Sequence, residues 1–232
     1  MSPPIRGFIE STLLDWEGKV AAVVFLPGCN FRCGYCHARH LVEPMPSDEF
    51  IPLEAILLNF RRQRGWLDGV VISGGEPTIH LPTVLEIVAA LPDDAKLVWK
   101  TNAHGSAQAR ELLDGMFDVW LADFKFGNDA CAQRLAKVSD YVRVVEENLL
   151  WASEHSELIV RHLLMPGHVE CCWQPVAEWL AAELPGVKVN LRTGFWPAWQ
   201  AARHPELRGT VSTPESARAV DLAQRLGLNL VP

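Results

Sequence analysis

Apolar residues fall into short continuous runs separated by longer stretches in which they recur every three to four positions, the pattern expected of buried strands alternating with amphipathic helices. Val20–Leu26 is the clearest strand, an unbroken β-branched and apolar run of the kind that is buried on both faces. Leu53–Arg64 places Ile56, Leu57 and Phe60 at helical spacing and ends at Gly65, a helix terminator. The alternation then repeats. Strand Val70–Ile72 leads to a helix from Pro82 to Ala90, strand Lys96–Lys100 to helix Ala107–Leu113, and strand Val119–Ala122 to helical stretches at Ala130–Ala136 and Tyr141–Trp151. Strand Leu158–Leu164 precedes helix Trp173–Glu183, and Val187–Leu191 is the sixth strand. A last helix opens at Thr213-Pro214, read as an N-cap Thr with Pro at the first helical position, and runs to Leu226 before Gly227.

Strand–helix alternation implies a parallel sheet with right-handed crossovers. Six such units are fewer than the eight that close a full barrel, so the expected fold is α/β, a partial (β/α)6 TIM-like barrel. Residues 1–19 read as an irregular N-terminal extension and residues 20–232 as the barrel, one domain without linker, repeat or low-complexity stretch.

Composition adds bounds. The 49% hydrophobic and 21% charged content is that of an ordinary globular chain. A formal net charge of −7 disfavours nonspecific nucleic-acid binding and suits a partner with a basic face. The opening Met-Ser-Pro-Pro shows no signal pattern, and Val20–Leu26 is far too short to cross a bilayer, so no membrane role and a cytoplasmic location are expected. In that reducing compartment the six cysteines read as ligands or buried thiols.

Three of those cysteines, Cys29, Cys33 and Cys36, fall within eight residues just after the first strand ends at Pro27-Gly28. Such spacing suits thiolates converging on one inorganic centre better than disulfides. Zinc and iron–sulfur both qualify. A zinc knuckle takes His37 or His40 as fourth ligand and makes the chain a zinc-stabilised binding protein. A cubane normally takes four thiolates, and with three it leaves one iron open to a substrate or cosubstrate.

The motif Cys29-x3-Cys33-x2-Cys36, with Tyr35 before the last Cys, resembles the cluster motif of the radical S-adenosylmethionine superfamily. The resemblance implies a [4Fe–4S] cluster held by the three thiols and S-adenosylmethionine chelated to the open iron. It further implies reductive cleavage of the sulfonium to a 5′-deoxyadenosyl radical, and flavodoxin or ferredoxin as electron donor.

Sites of parallel α/β folds lie past the carboxyl ends of the strands. The Cys triad follows strand one, Gly74-Gly75-Glu76 strand two, Thr101-Asn102 strand three, and Asp123 with Lys125 strand four, while Arg161 and His162 lie in strand five; all are expected to face one cavity. Gly74-Gly75-Glu76-Pro77 is either a plain tight turn or a place where backbone must approach a ligand. It resembles the family's Gly-Gly-Glu-Pro motif, which receives the cosubstrate's ammonium group, and Tyr35 occupies the position of the aromatic that stacks on adenine. Thr101 and Asn102 are strand-end caps or ligand contacts. Arg161 needs a carboxylate, from the cosubstrate or from Asp123.

Two closer resemblances span much of the chain. Residues 6–20 with 70–78 are similar to activating proteins of anaerobic ribonucleotide reductase, and Trp99–Asn102, Asp123–Gly127 and Val160–His168 to homologues of pyruvate formate-lyase activating enzyme. Both imply hydrogen abstraction from a glycine of a glycyl radical enzyme. His37 stands where activases commonly carry Asn, and no Cys lies between His37 and Ser73, which leaves a small molecule or cofactor precursor as the rival substrate. Cys171 and Cys172 point about 100° apart on a helix and, with Cys131, read as buried thiols or as an auxiliary metal set. Phe195-Trp196-Pro197-Ala198-Trp199 reads as wall packing or as a docking patch.

Overall fold

The computed structural model describes residues 4–43 and 50–232, so Met1–Pro3 of the N-terminal segment lie outside the described residues. They form two compact units: one takes the chain up to Asn30 with Ala38–Thr101 and Ala107–Trp120, the other Phe31–His37, Asn102–Ser106 and Leu121–Pro232. Within each unit, strands neighbour one another in chain order.

The first unit is built on β1 (Gly7–Thr12), β2 (Ala21–Leu26), β3 (Gly69–Gly74) and β4 (Leu97–Thr101), with β1 antiparallel to β2 and the rest parallel. The apolar runs behave as doubly covered strands do: Val23, Val24, Val70, Val71 and Ile72 are fully buried. The expected irregular segment contains β1, whose pairing with β2 shifts register between Ile9 and Thr12. Helices α1 (Arg39–Val42), α2 (Leu53–Arg62), α3 (Leu81–Ala90) and α4 (Ala107–Leu112) accompany the strands. Helix α2 buries Ile56 and Phe60 of the expected stripe together with Leu53, while Leu57 is only half-buried. Carboxylates secure two strand entries: Asp68 accepts the Val20 N–H at 2.7 Å, and Asp118 the Leu97 N–H at 2.9 Å.

Strand β5 (Val119–Asp123) is shared along its length, its last three residues belonging to the second unit. There β6 (Glu157–Leu163), β7 (Lys188–Arg192) and β8 (Asn229–Leu230) run parallel. Helices α5 (Asp129–Ala136), α6 (Tyr141–His155), α7 (Gln174–Glu183) and α8 (Thr213–Arg225) complete it. The last helix is capped one residue earlier than expected. Ser212 is the N-cap, Thr213 and Pro214 are its first helical residues, and Glu215 closes a capping box. A π-turn over Val169–Trp173 precedes α7. No helix among the described residues is long and apolar enough to cross a membrane.

Tyr141, fully buried at the start of α6, organises the second unit's aromatic core. Its ring lies 5.9 Å from Phe31, 6.2 Å from Phe124 and 5.2 Å from Phe126, and its hydroxyl accepts the Lys125 N–H at 2.6 Å. Tyr141→Phe strands that buried donor while leaving the ring, and is expected to cost about 1–2 kcal/mol in chemical denaturation. An unchanged midpoint would show that another acceptor takes it over.

Candidate functional site

The first unit supplies Cys29 and the Gly-Gly-Glu edge. Strand β2 ends at Leu26, and Gly28, at φ +73°, turns the chain into Cys29 while its N–H donates to the Leu41 carbonyl at 2.6 Å. Past the end of β3, the Gly75 N–H donates to the Leu26 carbonyl at 3.0 Å and the Glu76 N–H to the Gly28 carbonyl at 2.9 Å. The two backbones lie so close that a Cβ on Gly75 would sit 1.9 Å from the Gly28 oxygen and 3.2 Å from the Cys29 Cβ. A Cβ on Gly74 would meet the Leu26 oxygen at 2.2 Å. The glycines are therefore a close backbone approach to the Cys29 loop, not a tight turn.

Glu76 is 1% exposed and in extended conformation, as the following Pro77 demands. Its carboxylate is engaged: Oε1 accepts the Thr78 N–H at 3.1 Å, the Thr78 hydroxyl at 2.6 Å and the Thr101 hydroxyl at 2.8 Å. Thr101 thus ties the end of β4 to the end of β3.

The second unit supplies Cys33 and Cys36 on a strap over the carboxyl end of α5. The Arg32 N–H donates to the Ala136 carbonyl at 2.8 Å and the Gly34 N–H to the Leu135 carbonyl at 3.0 Å, while the Cys36 N–H closes a turn onto the Cys33 carbonyl at 3.1 Å. These bonds fix the strap by its backbone and leave both thiols half-buried. Tyr35, expected as an adenine platform, is 5% exposed and tilts onto the buried Phe195 at 5.9 Å. Burial first, and Cys33 second, push its phenol well above the ordinary range. Of the aromatic segment after β7, Trp196 is exposed.

Asp123, at the end of β5, accepts from Arg161 Nε at 2.6 Å and from Lys125. Burial would raise its pKa, but the Arg161 and Lys125 cations outweigh that and hold it well below the usual carboxylate range. Lys125 is likewise depressed by burial and raised, on balance, by Asp123 and then Cys33. Asp123, Lys125, Arg161, His37, Asn190 and Arg192 help to line a cavity of 550 Å³. Its wall carries the cationic side chains of Lys125, Arg161 and Arg192 beside the Asp123 carboxylate.

His162 does not line this cavity. Neighbouring positions on a strand point to opposite faces, so Arg161 reaches it while His162 turns into the core. Its ring lies 4.9 Å from Trp173, and Nδ1 donates to the Phe124 carbonyl at 2.7 Å. Burial pushes its pKa down to about 4, so it is a neutral core histidine that steadies the Asp123–Lys125 segment. Asn102 is 5% exposed and forms a local turn, its side-chain oxygen accepting the His104 N–H at 2.9 Å.

Two contributors escape sequence reading. Asn148 on α6 donates to the Ala103 and Gly105 carbonyls, both at 2.9 Å, and so holds the loop after β4; a single Asn on a helix face gives no signal of it. Arg192 closes β7, where the rule applied to the earlier strand ends would have found it.

A model of the family described as the radical SAM superfamily matches residues 23–180 of this chain. An uncharacterized protein of Methanocaldococcus jannaschii is 31% identical over 215 residues, 90% of this chain and 63% of its own length. A putative glycyl-radical enzyme activating enzyme of the same organism is 35% identical over 149 residues, 63% of this chain and 58% of its own length. The chain thus spans about three fifths of the length of these curated relatives. A solved domain of pyruvate-formate lyase-activating enzyme from Bacteroides vulgatus shares the fold, with TM-score 0.57 at 19% identity over 70% of this chain and 97% of that one. A radical SAM methyltransferase from Sphaerobacter thermophilus shares the fold as well, with TM-score 0.64 at 13% identity over 93% of this chain and 66% of that one. The fold is that of these neighbours, an α/β partial TIM-like barrel with a mostly parallel sheet.

Two predictions follow from this geometry. Gly75→Ala is expected to cost about 2 kcal/mol because backbone must move to admit the methyl group, whereas Gly209→Ala, with open space around it, stays within about 0.5 kcal/mol; equal midpoints for the two would disprove the close approach. His162 binds its proton more weakly folded than unfolded. Its contribution is therefore whole above about pH 6.5 and shrinks by about 3 kcal/mol as the pH falls to about 4. His162→Asn, which keeps a donor for Phe124, should flatten that part of the stability–pH curve, and an unaltered slope would exclude His162 as its source.

Proposed function

The chain belongs to the radical SAM superfamily, and we propose that it is an enzyme of the glycyl-radical-activating type, holding a [4Fe–4S] cluster through Cys29, Cys33 and Cys36. The observation that carries this reading is the Gly74–Gly75 edge pressed against Gly28 and Cys29 with no room for a side chain, the cradle that a backbone-bound cosubstrate beside a Cys loop requires. The residues fit the group: Cys29, Cys33 and Cys36 would hold three irons of a cubane, which would leave the fourth for S-adenosylmethionine. When bound and reduced, the cluster supplies the electron that cleaves the sulfonium and starts hydrogen abstraction.

The chain's own residues have distinct tasks. Gly74, Gly75 and the Glu76 backbone offer carbonyls to an ammonium group, with the Glu76 carboxylate and Thr101 fixing that edge in place. Lys125, Arg161 and Arg192 present cationic side chains to the cavity, where a carboxylate is proposed to dock. Tyr35 supports the strap beneath Cys33 and Cys36, and Asn102 and Asn148 hold the loop after β4. A glycine of a large partner protein is the proposed hydrogen source, supported by the 35% identity to a protein named as a putative glycyl-radical enzyme activating enzyme. A donor of the flavodoxin or ferredoxin class supplies the electron.

After anaerobic reconstitution with iron and sulfide, dithionite and S-adenosylmethionine should yield 5′-deoxyadenosine and methionine. Cys33→Ala should reduce the yield to background, and continued formation would refute the ligand assignment. With a glycyl radical enzyme deuterated at its glycine α-carbon, label should enter 5′-deoxyadenosine. Sustained cleavage without label transfer would overturn the activase reading and favour a small-molecule substrate.

A further inference from the structure

A second set of metal-binding side chains lies in the second unit, made of residues that the proposed chemistry does not use. Cys131 sits in the first turn of α5, and His168, Cys171 and Cys172 sit on the π-turn that leads into α7. Viewed as a pair, the two adjacent cysteines diverge by about 100°, but His168 changes the geometry. Positions i, i+3 and i+4 share one helix face, with the cysteines flanking the histidine. The widened turn, in which the Cys172 and Trp173 N–H groups both donate to the His168 carbonyl at 3.2 and 3.0 Å, brings all three side chains toward α5.

The resulting distances are those of ligands to one ion. His168 Nδ1 lies 3.3 Å from Cys171 Sγ, 3.3 Å from Cys172 Sγ and 3.8 Å from Cys131 Sγ. Cys171 Sγ lies 4.0 Å from Cys131 Sγ and 3.8 Å from Cys172 Sγ, and all four ligand atoms fall within 4.8 Å of one another. A tetrahedral zinc with bonds of about 2.3 Å to sulfur and about 2.0 Å to nitrogen separates its sulfurs by about 3.8 Å and sulfur from nitrogen by about 3.5 Å. In a four-iron cluster each iron takes a single protein ligand, which spreads the thiolates over a larger body.

We propose that Cys131, His168, Cys171 and Cys172 bind one Zn²⁺ in a closed, structural Cys3His site. The surroundings have the supporting contacts that such ligands need. His168 Nε2 faces Glu206 Oε1 at 3.9 Å, and the same carboxylate pairs with Arg134. Asn128 Nδ2 lies 3.5 Å from Cys131 Sγ and donates to the Cys171 carbonyl at 2.6 Å. His168 and Cys172 are buried, while Cys171 is exposed and gives an ion its way in. Four protein ligands complete the shell and leave no position for a substrate.

The ion would join α5 to the turn after β6, and that turn rests on the segment carrying Asp123 and Lys125. A Cβ on Gly127 would meet the Cys172 carbonyl oxygen at 2.5 Å, so the two backbones are in direct contact. The site therefore braces the segment that follows Asp123 and Lys125.

Metal analysis of the full chain purified anaerobically tests this independently of the radical chemistry. About one zinc per chain is expected both in the wild type and in the Cys29→Ala/Cys33→Ala/Cys36→Ala variant, and at least tenfold less in His168→Gln and Cys171→Ser. Should those two variants fail to fold, Co²⁺ added to the metal-stripped Cys29→Ala/Cys33→Ala/Cys36→Ala variant still reports the site through the intense visible bands of tetrahedral thiolate coordination, bleached on adding Zn²⁺. Zinc absent from the wild type, iron and sulfide retained by the triad variant, octahedral Co²⁺ spectra, or a Cys131–Cys171 disulfide in the anaerobic protein would each overturn the proposal.

Discussion

Two backbone hydrogen bonds, from Gly75 to the Leu26 carbonyl and from Glu76 to the Gly28 carbonyl, constrain everything else proposed for the first unit. They carry the β2–β3 pairing beyond the sheet and press the loop that delivers Cys29 against an edge without side chains. A methyl group at either glycine would drive the strands apart, so the sequence there is dictated by backbone distance. Glu76 belongs to the same constraint. A buried carboxylate persists only with its acceptors satisfied, and Thr78 and Thr101 supply the donors. The edge is thereby held before any ligand arrives, the preorganisation that makes a cradle useful.

The second unit solves a different problem, how to keep charge in a half-buried cavity. Asp123 between Arg161 and Lys125 is such a solution, since each of these ions has a partner. The packing around Tyr141 in this unit is aromatic and buried. Tyr141 and His162 secure the backbone of the same segment from below, one through the Lys125 N–H and the other through the Phe124 carbonyl. The neutral state of His162 follows from its burial, which strips water from a charged imidazole.

Much of this was legible in the chain. The six strands read from apolar runs are β2 to β7, and the Cys triad stood out by its spacing, whereas Gly74-Gly75-Glu76 read equally as a plain turn until the family resemblance was added. What stayed hidden has identifiable physical causes. Strand β1 is a partly exposed edge strand with a register shift, so it lacks the continuous apolar signature. His162 looked like a cavity residue because it adjoins Arg161, and only the two-sided geometry of a strand separates them. The π-turn has no sequence signature, and without it His168, Cys171 and Cys172 read as one histidine and two diverging thiols. Asn148 is recognisable only through the carbonyls it meets.

In the proposed function one iron of the cluster would have no protein ligand and would be open to S-adenosylmethionine. Electron–nuclear double resonance of the reduced, reconstituted protein examines that iron directly. With S-adenosylmethionine labelled with ¹⁵N at the amino group and ¹⁷O at the carboxylate, couplings from both labels to the cluster spin are predicted. A spectrum without either coupling, from protein shown to hold cluster and cosubstrate together, would contradict it.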